Sequence, residues 1–321
     1  MGRPPSVRRW VAQNVVSYDT SYTLVIYHPS VRANDLRRGA LFMIGSALMF
    51  ALMGAAVKVV SRALPNAEVV FFRCALGLVV LVPWIAPLGL AGLRTSRPWE
   101  HLIRGVAGLG TMACFFYALA HMRLPDAVLL NYSLPLFMPF VEAVWLGEPF
   151  PRRLWWPVAV GFAGIVLVLK PGIGVFQPVA LVGVLAALFA SVAQVGIRQL
   201  TRTEPLVLII FYFGLVSTLL SAVPAALSWR TPQGQEWWLL IAIGVLGSVG
   251  QLLLTAAYAH APAARVGPFI YSSVVFAGLL EWALWNSLPD ALSFAGMIVV
   301  AGAGVLALRI GADPPQPAVA P

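Results

Sequence analysis

Charge is scarce in this sequence. Only 10% of its 321 residues are Asp, Glu, Lys or Arg, where a soluble domain carries about 25%. Acidic residues are the scarcer kind, 12 against 21 basic ones. That shortage excludes an ordinary water-soluble domain. Cysteine is nearly absent. Cys74 and Cys114 lie inside apolar runs, so they read as small buried hydrophobes and exclude a disulfide framework. The four histidines, His28, His101, His121 and His260, show no ligand spacing, so no metal and no cofactor is expected. The formal net charge is +9, yet the arginines sit at the ends of apolar runs. There is no solvated basic face with interleaved aromatics, and nucleic acid is set aside as a partner. The expected partners are the lipid bilayer and a small molecule, with a homodimer left open.

Apolar residues take the place of the missing charges: 60% of the chain is hydrophobic and the mean hydropathy is +0.85. From Arg38 onward, apolar segments of about 20 residues recur, each long enough for a bilayer core of about 30 Å. Ten spans are predicted, at 39–61, 67–88, 101–121, 126–146, 154–171, 179–200, 205–228, 237–259, 264–286 and 291–309. In lipid every backbone group needs an internal partner, so these must be helices. Residues 1–37 hold no run that could span; they read as a disordered cytoplasmic tail or an over-long start. Residues 311–321 read as a C-terminal tail. Most arginines fall on the side of the N-terminus, among them Arg37, Arg94, Arg97, Arg152, Arg153, Arg202 and Arg309. The positive-inside rule then places both termini in the cytoplasm.

The chain also repeats itself. NYSLPLFMPFVEAVWLG at 131–147 is answered by IYSSVVFAGLLEWALWN at 270–286. Tyr132 falls on Tyr271, Ser133 on Ser272, Phe137 on Phe276 and Glu142 on Glu281, an offset of 139 residues. Near an offset of 140, Lys58 meets Arg198, Arg62 meets Arg202 and Phe71 meets Phe211. Five spans per half is an odd number, so the halves must point oppositely. The expected fold is an all-α integral membrane protein, with ten transmembrane helices in two inverted five-helix repeats around a central cavity. The repeats run 38–171 and 179–310, joined by a linker at 172–178.

Several stretches resemble one known family. These are FFRCALG at 71–77, RGVAGLGTMACFFYALAHMRLPDAVLLNYSLPLF at 104–137, WLGE at 145–148 and GFAGIVLVLKPG at 161–172. Together they resemble the EamA type of the drug/metabolite transporter superfamily, over residues 38–310. The resemblance implies ten helices in two repeats and transport of small organic metabolites, often outward. The second copy departs from the family pattern. It ends WALWNSLPD at 282–290, where a Gly-Glu is usual, and carries Glu281 where a small residue is common.

Ionisable residues inside spans are costly, roughly 2.5–3.5 kcal/mol at the bilayer centre on insertion scales, so each needs a reason. Counting about 1.5 Å per residue puts Glu142 about 24 Å from the outer edge and Glu281 about 25 Å from the inner edge. Lys58 then shares the depth of Glu281, and Arg198 that of Glu142. One reading is a pair of alternating gates, Lys58–Glu281 outside and Glu142–Arg198 inside, with protonation of a carboxylate coupling transport to protons. The other is that all four snorkel to the headgroups or form static structural pairs. Arg73, about 9 Å below the outer surface, has the neutral Phe213 at its repeat position. It either binds a substrate carboxylate or is satisfied by Glu68 or helix-end carbonyls. Arg104 reads as snorkelling. Asn131, Tyr132, Gln194, Gln251 and Tyr271 are the candidate cavity-lining residues. Tyr132, Pro135, Pro139 and Glu142 would share one helical face, with backbone carbonyls freed beside a wet cavity. Gly161, Gly164, Gly302 and Gly304 read as tight packing of the fifth and tenth spans.

The function expected is secondary transport across the inner membrane, as an exporter of a small amphiphilic or zwitterionic metabolite. Amino acids, amino-acid-derived compounds and opine-type metallophores are the first candidates. Uptake of a vitamin or metabolite on the same fold is the alternative. A lipid-modifying intramembrane enzyme is a weaker one, because the spans show no Ser/His or metal-ligand pairing at helical spacing.

Overall fold

The computed structural model describes residues 36–311, apart from 87–88, 146, 148–151, 170–177, 201–202, 261–266 and 288. Nearly all of the two tails expected at 1–37 and 311–321, and most of the 172–178 linker, lie outside the described residues. Every long element is a helix, and no strand occurs among the described residues. In chain order these are α1 (Leu36–Val60), α2 (Asn66–Ile85), α3 (Pro98–His121), α4 (Leu124–Asn131), α5 (Met138–Trp145) and α6 (Trp155–Leu169). The second half holds α7 (Val179–Leu200), α8 (Leu206–Leu227), α9 (Gln235–His260), α10 (Ser272–Trp285) and α11 (Ala291–Gly311). Proline marks several starts: Pro65 caps α2, Pro205 caps α8 and Pro98 opens α3. A helix start needs no N–H from its first residues, so a residue without one fits there.

Six helices are long and apolar enough to cross a membrane, seven if the bent pair α4–α5 counts as one span. Three shorter apolar stretches, 155–167, 269–285 and 291–306, lie below that length. The outward surface is apolar too, with Leu41, Val79, Leu227 and Ile298 exposed. Exposed tryptophans such as Trp99, Trp155, Trp156 and Trp238 collect near helix ends, the place of an interfacial aromatic belt. The chain is a multi-pass membrane protein.

Inside, α1 packs most extensively on α9, α3 on α7, α6 on α11 and α2 on α8. Lesser contacts join α2 to α9, α3 to α8, α1 to α10 and α4 to α7. One continuous core runs through Val57, Phe116, Leu119, Leu129, Leu130 and Leu136. Glycines let some pairs close up: a Cβ on Gly164 would press into Val299 and Val300, drawing α6 against α11. Gly302 differs from expectation. A Cβ there would meet nothing within 4 Å, so it is not a packing glycine.

The fourth and ninth spans also differ from the continuous helices expected. α4 and α5 meet at an angle of 42° through a 3-10 turn, Leu134–Leu136. Pro135 has no N–H to give, and the Leu136 N–H bonds the Ser133 carbonyl instead of reaching back to Tyr132. Tyr132, Pro135, Pro139 and Glu142 therefore do not lie along one unbroken helix. In the ninth span a 3-10 turn, Gly267–Tyr271, precedes α10. The ends of these spans match. α10 stops at Asn286, left-handed at φ 52°, and Gly147 after α5 is left-handed at φ 67°. Asn tolerates that conformation better than most residues, so it fills the role of the missing glycine.

Candidate functional site

At the end of the bundle where α1 and α10 finish and α4 begins, buried charges meet. Lys58, in the last turn of α1, places Nζ 2.7 Å from each Glu281 oxygen on α10. The two side chains are 12% and 3% exposed. Glu281 Oε2 also accepts the Leu124 backbone N–H at 3.0 Å. That N–H belongs to the first residue of α4, one of the donors a helix start leaves without a partner, where a negative charge is favoured. The indole of Trp285 faces Lys58, with Nζ 4.6 Å from the ring centroid. One carboxylate thus ties α1, α4 and α10 together. Beside it, Arg123 Nε holds Asp126 at 2.9 Å, and Arg123 Nη2 reaches Asp290 at 3.4 Å. Asp290 in turn caps the start of α11 through Ser293.

Deeper in the bundle a cavity lies between α2, α3, α8 and α9. It is partly open and is lined by Arg73, Arg104, Phe213, Ser248 and Gln251 among aliphatic residues. Arg73 and Arg104 are 7% and 8% exposed. Absent side chains make room for both. A Cβ on Gly77 would lie 3.0 Å from Arg73 Nη1, and one on Gly247 would lie 3.2 Å from Arg73 Nε. A Cβ on Gly108 would overlap Arg104 Nη1. Each guanidinium therefore lies over a glycine one turn further along its own helix. Arg104 also stacks on Phe213, with Cζ 4.2 Å from the ring centroid.

Neither guanidinium has an ion pair among the described residues. Arg104 Nε and Nη1 have no hydrogen-bond partner among the described residues. Glu68, the alternative partner considered for Arg73, accepts the backbone N–H of Arg230 instead. Arg104 does not snorkel. Its head runs toward Gly108, into the helix rather than back to its near end, and it is buried. Sequence reading missed it for want of a direction. The signal available was the spacing Arg-x-x-x-Gly in an apolar helix, present at both Arg73–Gly77 and Arg104–Gly108.

The other candidates divide. Gln251 shares the cavity with Arg73. Gln194, half-buried on α7, is not among the residues lining it. Asn131 and Tyr132 sit at the break after α4, and Tyr271 at the turn before α10. The Tyr271 hydroxyl donates to the Tyr132 carbonyl at 3.0 Å. This is the acceptor that the Leu134–Leu136 turn releases, so a side chain from one half closes a gap in the other. Thr111, Ser191 and Ser248 each donate to a carbonyl of their own helix. Glu142 is half-buried on α5, and the side chain of Arg198 lies outside the described residues.

The arrangement provides a buried two-cation cavity and a separate, fully paired polar node. Among the described residues no group of His, Cys, Asp and Glu could hold a metal. The model of the EamA-like transporter family matches the chain twice, over residues 37–170 and 177–309. The chain is 37% identical to the pseudopaline exporter CntI of Pseudomonas aeruginosa, over 83% of this chain and 94% of that protein. It is 30% identical to an S-adenosylmethionine uptake transporter of Rickettsia bellii, over 76% and 84%. It is 29% identical to a riboflavin transporter of Rhizobium johnstonii, over 84% and 91%. A solved crystal structure 22% identical in sequence shares the fold, with a TM-score of 0.60 over 85% of this chain and 98% of that one. With both halves matched and small-molecule carriers as its relatives, the chain is a transporter, and it belongs to the EamA-like transporter family.

Proposed function

We propose that this chain exports a small, carboxylate-bearing amphiphilic or zwitterionic metabolite across the inner membrane by alternating access, with both termini cytoplasmic. Ten spans form two inverted five-helix repeats, 38–171 and 179–310. Exchanging the halves supports that plan: α1 on α9 becomes α7 on α3, while α2 on α8 and α6 on α11 map onto themselves. The left-handed Gly147 and Asn286, and the capping Pro65 and Pro205, stand at matching places.

The observation that carries the reading is the cavity itself, lined by Arg73 and Gln251, with Lys58 and Glu281 paired where α1 and α10 end. Lys58–Glu281 is then the outer gate and Glu142–Arg198 the inner one. Arg73, Gln194, Gln251, Asn131, Tyr132 and Tyr271 form the substrate path. Export is favoured by the 37% relative that exports pseudopaline. Uptake is the second reading, favoured by the relatives that import S-adenosylmethionine. Counterflow in oriented proteoliposomes, with and without a pH gradient, tests direction and coupling. The export reading expects substrate to leave the cytoplasmic side, faster with an opposing proton gradient; accumulation on the cytoplasmic side would overturn it. A comparison of metabolites in medium and cells, deletion strain against wild type, identifies the cargo.

A further inference from the structure

We infer that Arg73 and Arg104 together form a clamp for a substrate bearing two carboxylates, Arg73 taking one and Arg104 the other. The inference rests on the transporter reading and deepens it by naming the charge the cargo must carry.

Two buried guanidiniums face one cavity, each more than nine-tenths shielded from solvent. Neither is ion-paired among the described residues, and both line the same cavity. A buried charge without a partner is costly. The bundle contains carboxylates elsewhere: Glu68 accepts from the Arg230 backbone through one oxygen, and Glu281 pairs with Lys58. A structural arginine would have been given such a partner. The glycines at 77, 108 and 247 instead let the two heads lie close against helix backbone. Stacking on Phe213 fixes the plane of Arg104, whose buried Nε and Nη1 have no hydrogen-bond partner among the described residues. A planar fork of N–H donors matches a carboxylate at two points. Two forks match two carboxylates, and one carboxylate would leave a net positive charge buried. Between them, Leu78, Leu81, Ile210 and Leu252 offer an apolar wall for a carbon backbone, and Gln251 a neutral hydrogen-bonding group for an amine or amide.

The repeat adds a separate argument. Phe213 stands at the repeat position of Arg73, and no second arginine of the other half mirrors the pair. The two cations break the symmetry of the fold, as a ligand's demand does and an architectural one does not.

Binding to the full-length protein in lipid nanodiscs tests the clamp, using succinate, glutarate and adipate as dicarboxylates. Butyrate, glutaramide and inorganic phosphate are the comparison probes. At least one dicarboxylate should bind ten-fold or more tighter than butyrate, glutaramide and phosphate. Arg73→Gln and Arg104→Gln should each remove at least ten-fold of that preference. Arg73→Lys and Arg104→Lys, which keep the charge and lose the fork, should remove less; they serve where a Gln variant fails to fold. The clamp is overturned if no dicarboxylate binds the wild type, if phosphate or glutaramide binds as well, or if the substitutions leave the preference intact. Efflux from proteoliposomes separates this from the transporter reading. A chain that binds glutarate but moves nothing keeps the clamp and loses the transporter reading. One that transports its cargo unchanged with both arginines replaced keeps transport and loses the clamp.

Discussion

The molecule treats its buried cations in two opposite ways. Lys58 is given a carboxylate at 2.7 Å and the face of an indole, and that carboxylate is also given a helix-start N–H. Arg73 and Arg104, more deeply buried, are given a cavity, an aromatic face and three glycines, and no carboxylate among the described residues. The difference teaches how to separate closure from recognition in an apolar bundle. A paired charge holds helices together and can be parted. An unpaired charge is a cost that only something absent from the chain can offset.

The largest expected effect comes from breaking the paired side. Glu281→Ala strands Lys58 and the Leu124 N–H together, and should lower stability by about 3–5 kcal/mol, seen as a lower thermal midpoint in detergent. Lys58→Ala in that background should recover part of the loss, because it removes the stranded charge.

The unpaired side should respond with the opposite sign. Arg104→Gln removes a buried charge that nothing satisfies, and should raise the stability of ligand-free protein by about 1–3 kcal/mol while abolishing transport. A loss of stability like that of Glu281→Ala would mean the two regions are alike after all.

Gly108→Ala probes the space around that arginine. The added methyl would collide with Arg104 and with Phe213, at about 1–3 kcal/mol for overpacking, and should weaken substrate binding more than it weakens the fold. Gly302→Ala, where a Cβ meets nothing, should change neither by more than about 0.5 kcal/mol.

A smaller effect than at Gly108 is expected at Tyr271→Phe. It removes one neutral hydrogen bond to the Tyr132 carbonyl, worth about 0.5–1.5 kcal/mol. Slower transport without loss of stability would instead place this strut among the moving parts.

Much of the helical layout was legible in the sequence, because hydropathy reports length and punctuation directly. The spans expected at 39–61, 179–200 and 237–259 appear as Leu36–Val60, Val179–Leu200 and Gln235–His260. The break in the fourth span was signalled by Pro135 and Pro139, but the angle depends on where the Leu136 N–H finds its acceptor. Depth along a span can be counted, and Lys58 and Glu281 do meet; what that contact does in transport is not written in the depth. Arg104 was illegible for a physical reason. An arginine near a helix end can turn either way, and only the glycine one turn on lets it turn inward. No single-sequence pattern shows that Glu68 is taken by Arg230, which leaves Arg73 without it.

The most direct measurement of the central claim locks the paired side. Cys74 and Cys114 are replaced by alanine, Lys58 and Glu281 by cysteine, and the two new thiols are joined by a short bifunctional reagent in proteoliposomes. The account predicts efficient cross-linking without substrate and loss of transport once the pair is joined, with transport regained when a cleavable linker is cut. Transport at the unlinked rate while the pair stays joined would contradict it.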